Sequence, residues 1–172
     1  GKRPFRPEST ARDSWYMALF TFGEGYHNYH HKFQWDYRNG IKWFHFDPGK
    51  WCIWLLAKMG LASELKFANH SKVMKAKVLA VWDQLNNRLE DLPEQAKVNY
   101  SEKLTEARNK IQQLEISWRK AEEDAKEFFT DKKERLLSRR AYKEKKKLFH
   151  FEYQALLQSM TILLVAVQNG QY

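Results

Sequence analysis

The sequence predicts an all-α protein, and three features of it do so. Apolar residues recur in steps of three and four through two long charged segments, residues 71–92 and 94–128. A third run, Lys50 to Leu61 (KWCIWLLAKMGL), has the make-up of a short amphipathic helix. The third feature is a set of histidines, His27, His30 and His31, placed i, i+3 and i+4, which puts all of them on one side of a helical turn.

Taken in order, GKRPFRPEST reads as an extended loop, because Pro4 and Pro7 fix φ and block helix. The chain opens there on Gly1 and reads as the interior of a longer protein. Asp13 or Ser14 is suited to cap a helix running through WYMALFTF toward the histidines. Asn39-Gly40 and Asp47-Pro48-Gly49 are turn signals, and the Lys50–Leu61 helix follows them. Its Trp51, Trp54, Leu55 and Lys58 suit a helix lying in a bilayer interface. The same composition suits a helix docked on a protein core.

Residues 69–172 are read as a helical, coiled-coil-like extension, set apart from residues 1–66. Met74, Val78, Val81, Leu85, Leu89 and Leu92 share one helical face. Pro93 sits where the first turn of a second helix tolerates it. That helix places Leu104, Ala107, Ile111, Leu114, Trp118, Ala121, Ala125 and Phe128 on its own stripe, the pattern of an antiparallel hairpin or coiled coil. Residues 132–147 carry nine basic and two acidic side chains, read either as a solvated face or as a tract held by an anionic cytoplasmic membrane surface. Ala155 to Val167 is apolar over only 13 positions and includes Gln158, Ser159 and Thr161. A spanning helix needs ~20 apolar residues, so this is read as a buried or interfacial helix and no segment as a transmembrane span.

The net charge is +9, yet charge and aromatics are segregated: 15 of the 26 aromatics, five of them Trp, precede residue 55. A base-stacking platform interleaves the two, so nucleic acid is excluded as a partner. Trp and Tyr beside short apolar runs suit a membrane interface, and equally an aromatic-rich core. The single cysteine, Cys52, rules out an intrachain disulfide and a thiolate zinc site, and its apolar neighbours predict a buried, inert thiol.

Three imidazoles at this spacing suit iron, zinc or copper. A zinc protease motif requires Glu directly after the first histidine as general base, and Asn28 occupies that position.

GEGYHNYHH, followed by KFQWDYRNGIKWFHFDP and KWCIWLLAKMGLASELK, resembles the C-terminal end of the membrane-bound acyl-CoA desaturases, the Δ9 or stearoyl type. The family's third histidine box is H-x-x-H-H within G-E-G-x-H-N-x-H-H, and the likeness runs from Gly1 through Lys66. The resemblance implies a diiron enzyme that uses O2 to place a cis double bond, at Δ9, in the chain of an acyl-CoA. Its electrons come from a carrier such as cytochrome b5 or a ferredoxin. The resemblance makes His27, His30 and His31 iron ligands, lets Glu24 and Asn28 orient the imidazoles, and lets Gly23 and Gly25 bring backbone close to the cluster. Arg38 and Lys42 are the candidates to face the anionic acyl-CoA head, against simple solvation. His45, His70 and His150 match no box and are read as surface or packing residues.

Two departures, Gln34 for the family's usual Pro and Ser14 for its usual Asn, remove no ligand. The other two boxes and the spanning helices do not precede the match, and three histidines cannot satisfy two irons. The chain therefore reads as the last, cytoplasmic part of a membrane enzyme and, alone, as inactive. A related membrane diiron hydroxylase or acyl-lipid desaturase is the nearest alternative, and a non-catalytic helical interaction module is another.

Overall fold

A computed structural model describes residues 1–128 and 135–170, with the helical backbone alone for 125–128 and 135–139. The described residues are all-helical, with six helices and no strand. They are α1 (Trp15–Phe20), α2 (His27–Lys32), α3 (Pro48–Lys58), α4 (His70–Glu90), α5 (Glu94–Phe128) and α6 (Arg135–Gln168). None is long and apolar enough to cross a membrane.

The chain divides into two compact units, Gly1–Ala80 and Val81–Tyr172. The division falls inside α4, beyond the boundary at 66–69 expected from the sequence. The reason is burial. Ala68, Val73 and Ala76 close a core with Phe5, Tyr29 and Phe33, so the first turns of α4 belong to the unit that carries the histidines. Phe5 meets Tyr29 and Phe33 edge-on, with centroids 5.4 and 5.8 Å apart. On Phe5 lies the ammonium of Lys77, 5.6 Å from the ring centroid.

The helix expected through WYMALFTF forms over its first six residues, and the histidines lie on a separate one. α1 ends at Phe20, and the chain turns through Phe22 (φ 52°) and Gly23 (φ 105°) before α2 begins. Gly25 sits so close to α1 that a Cβ there would lie 2.2 Å from the Ala18 nitrogen, so only glycine fits. These glycines bring the turn against α1 and Asp47, not against the imidazoles as expected.

α3 begins two residues earlier than expected, with Pro48 in its first turn and Asp47 as its cap, accepting from the Lys50 N–H at 3.0 Å. Its apolar side chains face outward, as the interfacial reading expects and the docked one does not. Lys50 is its buried residue, while Trp51, Trp54, Leu55 and Leu56 are exposed. Cys52 is exposed with them, which corrects the buried thiol expected from its apolar neighbours.

In the second unit the helical periodicity holds. Leu85 and Leu89 of α4 are buried. α5 and α6 pair antiparallel: Asp124 meets Lys145, Trp118 packs edge-on to Phe149 at 5.0 Å, and Tyr153 lies beside Glu115. Tyr100, Ala107, Ile111, Leu114 and Ala121 are buried on α5, as are Phe149, Tyr153, Leu156, Met160, Leu164 and Val167 on α6. The apolar run 155–167 thus lies in a helix continuous with the basic tract, and one stripe of it is buried. Of tract 132–147, the first residues lie outside the described ones, and Lys143, Lys145, Lys146 and Lys147 are exposed. The side chains of Ala125 and Phe128 also lie outside the described residues.

Candidate metal centre

α2 is six residues long, too short to persist on its own. Its N-cap, Tyr26, gives it no side-chain hydrogen bond. Three clamps from other parts of the chain hold it instead.

The first is Asp13, whose Oδ1 accepts from the Tyr29 N–H at 3.1 Å. Sequence alone placed Asp13 at the head of α1; folded, its carboxylate serves α2. Burial pushes this carboxyl up, against backbone N–H bonds and the nearby His27, which pull it down.

The second is Asn28, which is fully buried. Its Oδ1 accepts from the Phe5 N–H (2.9 Å) and the Arg6 N–H (3.2 Å). Its Nδ2 donates to the carbonyls of Arg6 and Ala11, both at 3.0 Å. All of its hydrogen-bonding capacity goes to the 5–11 segment, so Asn28 does not orient an imidazole as the resemblance implied. Glu24 is exposed, and among the described residues no hydrogen bond joins it to an imidazole.

The third clamp is Tyr29, whose hydroxyl donates to Asp36 Oδ2 at 2.5 Å. Asp36 also accepts from the Ala68 N–H (2.8 Å) and the Arg38 N–H (2.9 Å). The Arg38 guanidinium grips it twice, Nε at 3.0 Å and Nη2 at 2.9 Å, and reaches the Ala68 carbonyl at 3.0 Å. Burial pushes the Asp36 carboxyl up, but the Arg38 and Tyr29 hydrogen bonds outweigh it and hold the group below its ordinary value. Burial and the same carboxylate push the Tyr29 phenol well up. Arg38 thus gives Nε and Nη2 to Asp36 and the Ala68 carbonyl. Lys42 remains exposed, its ammonium 5.3 Å from the Phe44 ring centroid.

Beside α2, the His45 ring stacks on Tyr26 with centroids 4.5 Å apart, in keeping with a packing role. Burial, then the charges of Lys50 and Lys42, push its pKa down. Loop 39–47 is built on buried charges. Asp47 accepts from the N–H groups of Asn39 (2.7 Å) and Gly40 (2.9 Å). Lys50 Nζ donates to the carbonyls of Gly40, Lys42 and His45 at 2.9–3.1 Å. Asp-Pro-Gly was legible as a turn and, with Pro at N1, as a helix start; nothing near Lys50 in sequence signals its burial.

With α2 held this way, His27 Nε2 and His31 Nε2 face each other 3.0 Å apart. The two nitrogens share a hydrogen bond, and a first-row ion that takes imidazole at about 2.1 Å holds two adjacent nitrogens at a similar spacing, about 3 Å. His30 stands off, its ring centroid 6.1 Å from that of His31, with Nδ1 buried and lacking a hydrogen-bond partner. The expected trio is thus a facing pair and a neighbour. Among the described residues no three His, Cys, Asp or Glu side chains converge to hold an ion.

A short helix held by the half-buried Asp13 and the buried Asp36, and carrying two imidazoles 3.0 Å apart, defines the class: a helical protein with a clamped histidine pair. Similarity narrows that class, and the chain is a relative of the acyl-CoA desaturases. It is 41% identical over 106 residues to acyl-CoA desaturase 1 of Saccharomyces cerevisiae, covering 62% of this chain and 20% of that protein. It is 40% identical over 102 residues to the probable acyl-CoA desaturase of Schizosaccharomyces pombe (54% of this chain, 21% of that protein). The Arabidopsis thaliana protein named delta-9 acyl-lipid desaturase 1 is 33% identical over 72 residues (42% and 24%). The chain spans about a fifth to a quarter of these curated relatives. No family model matches it, and no solved structure does. A stretch covering 62% of the chain cannot be placed without including residues 67–106. Likeness to the yeast protein therefore passes Lys66, where the sequence resemblance was drawn to end, and takes in α4.

Proposed function

We propose that this chain is part of a membrane fatty acid desaturase acting on acyl-CoA, in which α2 supplies histidines to a two-iron centre. The observation that carries this reading is the facing His27–His31 pair, 3.0 Å apart, inside GEGYHNYHH. His27 and His31 serve as one ion's adjacent ligands, and His30, from the opposite edge of the same turn, serves the second. Iron, when bound, activates O2 for removal of two hydrogens from an unactivated acyl chain, with electrons from a carrier such as cytochrome b5 or a ferredoxin. Three histidines do not satisfy two irons, so the remaining ligands come from elsewhere in the complete protein, and these 172 residues alone are without activity.

The protein's own residues shape the centre. Asp13, Asn28 and Tyr29 hold α2, the core of Phe5, Phe33 and Ala68 keeps water from its inner face, and exposed Lys42 is a cation placed to meet an acyl-CoA phosphate. Exposed Trp51, Trp54 and Leu55 on α3 supply an interfacial membrane contact on the cytoplasmic side. The double bond is placed at Δ9.

In the complete gene product, H31A is expected to lose both iron and desaturation, while H150A keeps both. Retained iron and double-bond formation in H31A would overturn the assignment. The Arabidopsis relative is named for an acyl-lipid substrate, which supports a second reading. Product formation from acyl-CoA and from acyl-lipid, assayed side by side, decides between them.

A further inference from the structure

The geometry points to Asp13 as a positioning residue for the histidine box, one that seats α2 by its N-terminus and so keeps His27 and His31 face to face. This rests on the metal reading above. The carboxylate accepts from the Tyr29 N–H at 3.1 Å, across 16 residues of sequence. It stands at the end of the helix where the backbone dipole favours a negative charge.

Asp13 is itself fixed in place. Its N–H donates to the Lys2 carbonyl at 2.7 Å, its carbonyl accepts from the Lys2 N–H at 2.8 Å, and it bridges to Tyr26, the residue before His27. The Ser14 N–H donates to the Gly25 carbonyl at 2.7 Å, closing the same joint from the other side. A six-residue helix without a cap of its own takes its rotation from such contacts. His27 opens α2 and His31 lies one turn on, so fraying of the first turn, which the Asp13 bond to the Tyr29 N–H holds closed, separates nitrogens that now stand 3.0 Å apart. Asn28, on the other face, ties the helix to residues 5–11 of the same N-terminal segment. Box and segment therefore move as one piece, with Asp13 at the helix end.

The test uses the complete gene product, loaded with iron(II), with affinity read by competition against a chelator. Asp13→Ala is expected to weaken iron binding at least about tenfold, the scale on which residues behind metal ligands act. Asp13→Asn keeps an oxygen acceptor for the helix end and is expected to stay within about threefold of wild type. Leu85→Ala, in the other unit, is the stability control, expected to lower Tm at least as much while leaving iron affinity unchanged. Should Asp13→Ala not fold, Asp13→Val, which also lacks the carboxylate and suits the extended backbone of the Lys2–Asp13 bridge, is read in its place. Unchanged affinity in the carboxylate-free variant, or a loss no greater than that of Leu85→Ala, would overturn the positioning role. If wild type and His31→Ala bind iron alike, the metal reading itself fails and the positioning role falls with it.

Discussion

Replacing Arg38 with methionine keeps the aliphatic stem and removes the guanidinium that grips Asp36 at 3.0 and 2.9 Å. The Asp36 side chain is fully buried and that of Arg38 is 17% exposed, so water does not replace the lost donors. Breaking a buried ion pair by deleting one partner costs about 3–5 kcal/mol. Asp36 keeps the Tyr29 hydroxyl and the N–H groups of Ala68 and Arg38, which favours the lower end, about 3 kcal/mol. The pH dependence changes sign as well. In the wild type Asp36 is held below its ordinary value, so its contribution is present above the unfolded carboxyl pKa of about 3.9 and is lost as pH falls through the lower folded value. In R38M burial, the largest single influence on this carboxyl, is expected to outweigh the remaining donors and raise the folded pKa. Stability is then greatest at acid pH and declines as pH rises through that value. Urea unfolding, followed by tryptophan fluorescence at several pH values from 3.5 to 7.5, measures both effects. R38M/D36N, which removes the stranded charge, should be more stable than R38M at pH 7. A loss under about 1 kcal/mol, or an R38M profile parallel to wild type, would refute the reasoning.

Gly25→Ala should lower stability by about 1–3 kcal/mol, because its Cβ would lie 2.6 Å from both the Ala18 Cα and the Ser14 carbonyl oxygen. Gly60→Ala, at φ +76° but facing open space, should cost about 1 kcal/mol in the same thermal melts; equal effects would contradict the packing described for α1. Cys52 should react with a maleimide in the native protein without denaturant, and protection until unfolding would contradict its exposure. Trp54→Glu should weaken sedimentation with anionic vesicles about tenfold, given about 1.5–3 kcal/mol for burying a large apolar side chain. Unchanged binding would remove α3 from the membrane contact.

The helices of α4 and α5 were legible because a helix reports its buried face through its own spacing: Met74, Val78, Leu85 and Leu89 recur at the period that puts them on one side. The histidine spacing likewise placed His27 and His31 together without any fold, since i and i+4 are neighbours on every α-helix. Local periodicity says nothing of what a second segment brings to the other face. That Asp13 caps α2 and not α1, that Asn28 grips residues 5–11, and that Arg38 grips Asp36 all depend on partners that only folding brings together. α3 shows the limit most plainly. Its sequence suits a bilayer interface and a protein core alike; three carbonyls of loop 40–45 take up its lysine and leave its tryptophans outside. A buried ammonium needs several oxygens converging from elsewhere in the chain. The sequence by itself determined the long helices and the neighbouring histidines of α2. Tertiary structure decided which charges lie inside and what holds the histidine helix in place, because both are settled by contacts between residues far apart along the chain.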